Sequence, residues 1–174
     1  MLYDARKYLS TSIISSSEIQ VARLLKLVVN AILNPLTVIF RCKNRGALKK
    51  GPREDLIRAL IGEIGPVVRR LAPPDSYSMT DDLDPKGQAT LFADDSLVRR
   101  VLLTANRTGA NTSSMLQDVQ HNRQTEIDYI NGYIVTAAQK LGLEYANNRT
   151  LVDMVKNRTV ITDEDISSAF YGIN

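Results

Sequence analysis

Lys26, Asn30 and Asn34 stand four residues apart in a stretch otherwise made of Leu24, Leu25, Leu27, Val28, Val29, Ala31, Ile32 and Leu33. Four residues turn a helix by about 400°, so an ammonium and two amides project from one face and drift only gradually along about 12 Å of it. Burying an amide or ammonium without a partner costs on the order of 1–3 kcal/mol or more. The stripe must therefore face solvent, pair with other buried polar groups, or line a wet cleft that accepts a polar ligand. In a cleft, a lysine held among apolar neighbours loses hydration, which favours its neutral form and lets it act as a general acid to a carbonyl oxygen near neutral pH. Asparagines beside it supply donors and acceptors for hydroxyl or carboxylate groups.

A second polar set lies downstream. Ser114 and Asp118 form an i, i+4 pair, and Glu126 falls in the first turn of the next helical pattern. Each has an ordinary structural explanation: a cap for Ser114, and for Glu126 a helix N-terminal charge worth roughly 0.3–1 kcal/mol. Together with Lys26 they supply an acid, a counter-charge and hydrogen-bond donors, a set suited to carbonyl chemistry on a small anion. Other chemistries are closed off. His121 is the only histidine and Cys42 the only cysteine, so an intrachain disulfide, a cysteine zinc site and a multi-histidine metal centre are all excluded, and no metal site is expected.

The elements that must hold these groups read as helices. Ser17 and Glu18 open a pattern running to Asn34 and meeting Pro35, where a helix should stop, kink or restart; Pro35 to Phe40 could form the first turns of another. Leu56, Leu60, Ile64, Val67 and Leu71 recur at three- and four-residue steps, with a kink or break expected at Gly65-Pro66. Residues 73–93 read as Asp-rich turns, a loop or a weak helix. Asp94 or Asp95 is expected to cap a helix reaching Asn106, and Thr112 or Ser113 a short one over 114–122. Thr125 and Asp128 resemble a capping box for a helix carrying Ile127, Ile130, Ile134 and Ala138 to Gly142. Short helices over 148–156 and 166–170 complete the chain. No strand alternation or internal repeat is evident, and the class is all-α.

The 174 residues suit one domain, and 44% hydrophobic with 24% charged residues is an ordinary globular mix. The net charge of +3 is too small to require a nucleic-acid or membrane partner. Arg41, Lys43, Arg45, Lys49, Lys50 and Arg53 could form a phosphate or RNA patch, but a solvated basic loop is the preferred reading. Lys26, Asn30, Asn34 and Pro35 interrupt the longest apolar stretch, so no membrane span is expected. The lone thiol and the lack of an apolar h-region in residues 1–7 point to the cytoplasm, with mitochondrial import left open by Arg6, Lys7 and Ser15-Ser16-Ser17.

Three blocks then carry a specific resemblance: Leu25-Lys26-Leu27-Val28-Val29-Asn30-Ala31-Ile32-Leu33-Asn34-Pro35-Leu36-Thr37, Ser113-Ser114-Met115-Leu116-Gln117-Asp118, and Thr125-Glu126-Ile127-Asp128-Tyr129-Ile130-Asn131-Gly132. In this order and spacing, across about residues 20–158, the chain resembles the C-terminal helical domain of ketopantoate reductases (2-dehydropantoate 2-reductases), a bundle of the 6-phosphogluconate dehydrogenase C-terminal type. The resemblance implies NADPH-dependent reduction of 2-dehydropantoate to pantoate. Lys26 matches the catalytic lysine that protonates the ketone oxygen. Glu126 matches the glutamate near that lysine and the cofactor. Asn30 and Asn34 match substrate-holding asparagines, and Ser114 a serine that contacts substrate. Asp118 falls at an acidic position of the same motif, and Asn44 matches a further substrate-side asparagine, although Arg45 here separates it from Gly46.

The family's first half is a Rossmann domain with a Gly-x-Gly-x-x-Gly turn. None of the nine glycines stands in that arrangement, and Asp4 to Ile14 resembles only the tail end of such a domain. Residues 1–16 are therefore expected to be a residual tail of a missing cofactor domain or a linker, and 17–174 the helical domain. Two functions follow: the catalytic half of a reductase for a small 2-keto acid, inactive without a cofactor domain, or a non-catalytic binding or dimerisation module with an idle site. The partners expected are the keto acid, and a separate cofactor domain or a second copy.

Overall fold

A capping box starts the first helix, α1 (Ser16–Ile39). Ser15 Oγ accepts from the Glu18 N–H at 3.1 Å, and the Glu18 carboxylate accepts from the Ser15 N–H. The start thus lies slightly upstream of the expected Ser17. The computed structural model describes residues 15–73 and 91–172. The expected N-terminal tail up to residue 14 and the Asp-rich turns over 74–90 fall outside the described residues. After α1 come a 3-10 turn (Asn44–Leu48), α2 (Pro52–Leu71), α3 (Asp94–Arg107), α4 (Ser114–Gln120), α5 (Ile127–Leu141), α6 (Ala146–Lys156) and α7 (Ile166–Tyr171). The described residues contain helices and no strands, as the sequence predicts.

α1 is the central rod. It packs against α2 through α6 and the 3-10 turn, and Val28, Ala31, Ile32, Leu36, Val38 and Ile39 are wholly buried along it. At 24 residues it is long and apolar enough, by length and composition, to cross a bilayer. The interruptions read in the sequence do not shorten it, but its apolar positions are occupied by the other helices.

The helix does not break at Pro35 as its sequence suggests. Proline has no N–H, which leaves the carbonyl of Ala31, four residues back, without a helical partner. Ala31 is fully buried, so water is not at hand. Asn131 of α5 donates to that carbonyl at 2.8 Å. The second Asn131 N–H goes to Asn148 Oδ1 (3.1 Å), and Asn148 Nδ2 donates to Glu63 Oε2 (2.8 Å). Glu63 in turn accepts the backbone N–H groups of Asn147 (2.8 Å) and Asn148 (2.9 Å), capping α6 from another helix. One buried polar chain therefore ties α1, α2, α5 and α6 together. Pro66 is handled differently. α2 runs straight through it, because the freed carbonyl belongs to the exposed Gly62 and solvent can satisfy it.

Several expected caps take other forms. The N-cap of α3 is Ala93, and Asp94 is engaged by Arg69 at 2.8 Å. That pair crosses directly over Gly65, where a Cβ would lie 2.3 Å from Asp94 Oδ1, so the glycine is needed for space. The Thr125–Asp128 box does not form: Glu126 is the N-cap of α5, and Asp128 pairs with Lys156 at 2.7 Å. Gly142 ends α5 in the left-handed region (φ 65°) and turns the chain into the α5–α6 hairpin.

The basic loop is partly stitched down. Arg53 is buried, lies 3.8 Å over the Phe40 ring, donates to Gly46 O at 2.7 Å and pairs closely with Asp163, which Lys49 also approaches at 3.6 Å. Two of the six cations thus converge on a single carboxylate from the C-terminal segment.

Two measurements follow from these contacts. Asn131→Ala strands the Ala31 carbonyl and should cost about 1–3 kcal/mol in urea unfolding. In a Pro35→Ala background the main chain can supply the missing N–H, so the same change should cost about 1 kcal/mol less; additive losses would show that the carbonyl is not what Asn131 serves. The hydrogen bond from Arg53, above all, holds the Asp163 carboxyl below its ordinary value of 3.8. A depressed carboxylate lends stability above the unfolded value and loses it as pH falls through the folded one. Unfolding free energy should therefore drop as pH falls below about 4, and Asp163→Asn should remove that part of the acid dependence.

Candidate functional site

Lys26, Asn30 and Asn34 share one face of α1, as their spacing predicts. Lys26 is exposed and the two asparagines are half-buried. The stripe does not pair with other buried polar groups: among the described residues, neither the Lys26 ammonium nor the Asn30 and Asn34 amides make a hydrogen bond or ion pair. The buried polar chain is built instead from Asn131, Asn148 and Glu63. Lys26 and Asn30 open onto a groove between α1 and α3, whereas Asn34, one turn further on, does not line it. A cavity of about 450 Å³ there is lined by Ala22, Leu25, Lys26, Val29, Asn30, Arg100 and Thr104, a size within the usual small-molecule range.

Ser114 is placed by its neighbour. Thr37, fully buried near the end of α1, donates to Asn34 O at 2.7 Å and lies 2.6 Å from Ser113 Oγ. Ser113 Oγ accepts from Leu116 N–H at 3.0 Å and is the N-cap of α4. Counting hydrogens fixes the direction: the Thr37 hydroxyl hydrogen is committed to Asn34 O, so Ser113 donates to Thr37. This chain clamps the start of α4 to the Asn34 end of the stripe and leaves the exposed Ser114 hydroxyl unpartnered among the described residues.

Glu126 is exposed at the N-cap of α5, and its carboxylate caps nothing. No ion pair joins it to Lys26 among the described residues, and it does not line the Lys26 cavity. The acid and counter-charge read from the sequence are thus both available but are not joined by contacts of this chain. Asp118 and Asn44 differ from the other candidates. Asp118 is held by Arg123 at 2.9 Å. Asn44 is buried, donating from its side chain to Thr108 Oγ1 (2.8 Å) and from its backbone to Asn111 O (3.1 Å). Its Oδ1 is buried without a partner. Both residues brace loops, and neither reaches the Lys26 cavity.

Sequence reasoning did not find Asn131, Glu63, Thr37 or Arg100. A signal existed for the first two. Asn131 shares the face of Ile127, Ile134 and Ala138, and Glu63 lies three residues after Leu60 and four before Val67, so both occupy apolar stripes where a polar group needs a reason. Burial pushes the Cys42 thiol up despite the Arg53 guanidinium beside it, which disfavours the reactive thiolate.

The adjacent serines give opposite expectations. Ser113→Ala should lower stability by about 1 kcal/mol through loss of the cap. Ser114→Ala should stay within about 0.5 kcal/mol of the parent. Thermal unfolding of the two variants checks the assignment.

Comparison with known proteins places the fold. The family model for the ketopantoate reductase PanE/ApbA C terminal matches residues 18–159. A 2-dehydropantoate 2-reductase from Shigella flexneri is 36% identical over 133 residues, which is 76% of this chain and 37% of the relative. The crystal structure of a probable 2-dehydropantoate 2-reductase panE from Bacillus subtilis superposes with a TM-score of 0.61 at 28% identity, covering 77% of this chain and 39% of the other. A putative 2-dehydropantoate 2-reductase from Enterococcus faecalis, at 22% identity, shares the fold with a TM-score of 0.67 over 95% of this chain and 47% of that one. The chain spans less than half the length of each of these relatives.

Proposed function

Because the chain belongs to the ketopantoate reductase family through its C-terminal helical domain, we propose that it is the substrate-side half of an NADPH-dependent reductase acting on a small 2-keto acid, 2-dehydropantoate. The observation that carries this reading is the sorting of polar side chains. Among the described residues the side chains of Lys26, Asn30, Asn34, Ser114 and Glu126 have no internal partners, whereas neighbouring polar residues such as Thr37, Ser113 and Asn131 are consumed by the fold. Groups left unpaired on a rigid scaffold are available to a ligand.

In this reading Lys26 donates a proton to the ketone oxygen as the carbonyl carbon is reduced. Asn30 and Asn34 hold the hydroxyl and carbonyl oxygens of the substrate, and Ser114 adds a hydroxyl contact at the far end of the stripe. The Glu126 carboxylate would accept hydrogen bonds from a cofactor ribose and would balance the lysine charge in the assembled cleft. A nicotinamide cofactor supplies hydride when bound. Its pyrophosphate finds no cradle here, since the described residues include no strand and the sequence no Gly-x-Gly-x-x-Gly turn. In this reading a cofactor domain meets this one across the Lys26 face. The exposure of Lys26 favours a second reading, in which the inherited groups sit idle in a binding or dimerisation module.

The chain alone should give no NADPH oxidation with ketopantoate. Joined to the cofactor-binding half of the Shigella flexneri relative, it should turn over, and Lys26→Ala should then lower kcat by roughly 10²–10⁴. Turnover unaffected by that change would move the proton donor elsewhere, and a chimera that folds but never reduces ketopantoate would leave the idle-site reading.

A further inference from the structure

The groove beside Lys26 has a second wall that the family motifs do not cover. On α1, Lys26 and Asn30 lie one turn apart; facing them on α3, Arg100 and Thr104 repeat the same spacing. Among the described residues the Arg100 guanidinium has no carboxylate or carbonyl partner. Arg58, Arg69 and Arg123, all similarly exposed, are each engaged by an aspartate. Thr104 is no competitor for a ligand, because its hydroxyl hydrogen is given to Arg100 O at 2.9 Å. Among the described residues the cavity lining thus holds two free cations and no acid, and between them lies an aliphatic floor of Ala22, Leu25 and Val29.

Such a lining selects its ligand by chemistry. Two cations with no counter-charge call for an anion, and the apolar floor calls for a compact aliphatic body attached to it. The planar guanidinium fork matches a carboxylate through paired N–H···O bonds, which an ammonium cannot reproduce. We propose that Arg100 is a specificity-determining residue that seats the carboxylate of a branched aliphatic keto acid, orienting the ligand so that its ketone oxygen falls to Lys26 and Asn30 on the opposite wall. This rests on the functional reading above and adds a residue from α3 to it. The division of labour keeps the lysine from being neutralised by the substrate's own carboxylate and leaves its proton for the carbonyl.

Titration calorimetry of the 174-residue chain with ketopantoate and with its neutral lactone tests the assignment. Arg100→Ala should weaken ketopantoate by roughly tenfold or more and leave the lactone within about twofold; Arg100→Lys should recover only part of the loss. Arg100 is exposed and engages no neighbour through its side chain, so an unchanged unfolding temperature should accompany these effects. Lys26→Ala, run beside them, should weaken both ligands. If Lys26→Ala weakens ketopantoate while Arg100→Ala does not, the Arg100 assignment falls and the functional reading stands. If neither ketone ligand binds but isovalerate binds in an Arg100-dependent way, the functional reading falls and the carboxylate seat survives. Dependence on Arg100 seen only with NADPH would assign the guanidinium to cofactor phosphates and overturn the proposal, as would no Arg100-dependent binding at all.

Discussion

The carbonyl of Ala31 is the point on which the architecture turns. Pro35 removes the N–H that would have closed the helical ladder there, and full burial denies it water. The N–H that replaces it comes from Asn131 at 2.8 Å, and Asn131 can hold that position only because Asn148 and Glu63 hold it in turn. A single missing hydrogen thereby fixes how α5 and α6 sit against α1. Such a network is costly where half-made and strongly specifying where complete; here the amide donors of Asn131 and Asn148 are all placed, while Asn131 Oδ1 is buried without a hydrogen-bond partner. The network lies on a face of α1 other than the one bearing Lys26, Asn30 and Asn34, so the rod is pinned from behind while its polar stripe stays free.

That separation of duties explains the behaviour of the candidate residues. Among the described residues, some polar side chains spend their hydrogen bonds on other elements, such as Thr37, Ser113, Asn131 and Glu63, and others spend none. Adjacent residues can fall on opposite sides. Ser113 is wholly engaged in capping α4 and clamping it to Thr37, while Ser114 presents its hydroxyl outward. Asp118, although part of a recognisable motif, belongs with the engaged group through Arg123.

The helical class, most helix positions and the common face of Lys26, Asn30 and Asn34 could be read from the sequence because they depend on periodicity, which is local. What escaped was non-local. No window around Pro35 reveals that a donor waits about a hundred residues downstream, so a break looked necessary where the helix in fact continues. The capping box at Thr125 failed for a similar reason, since Asp128 is drawn away by Lys156 from another helix. The dryness expected around Lys26 came from counting its apolar neighbours in sequence; those side chains turn to the core and leave the ammonium at the rim of an open groove. Spacing and family resemblance both point to the residues of the α1 face, but neither could supply Arg100, which meets that face only through the packing of α3 against α1.

Pro35 also makes the dry packing of α1 conditional on a distant element. With no main-chain donor of its own, the Ala31 carbonyl is satisfied only where the α5–α6 hairpin is docked. An arrangement that buried α1 against another neighbour would strand that oxygen and carry its desolvation cost, so the proline discriminates against mispacked forms of the rod that carries the polar stripe.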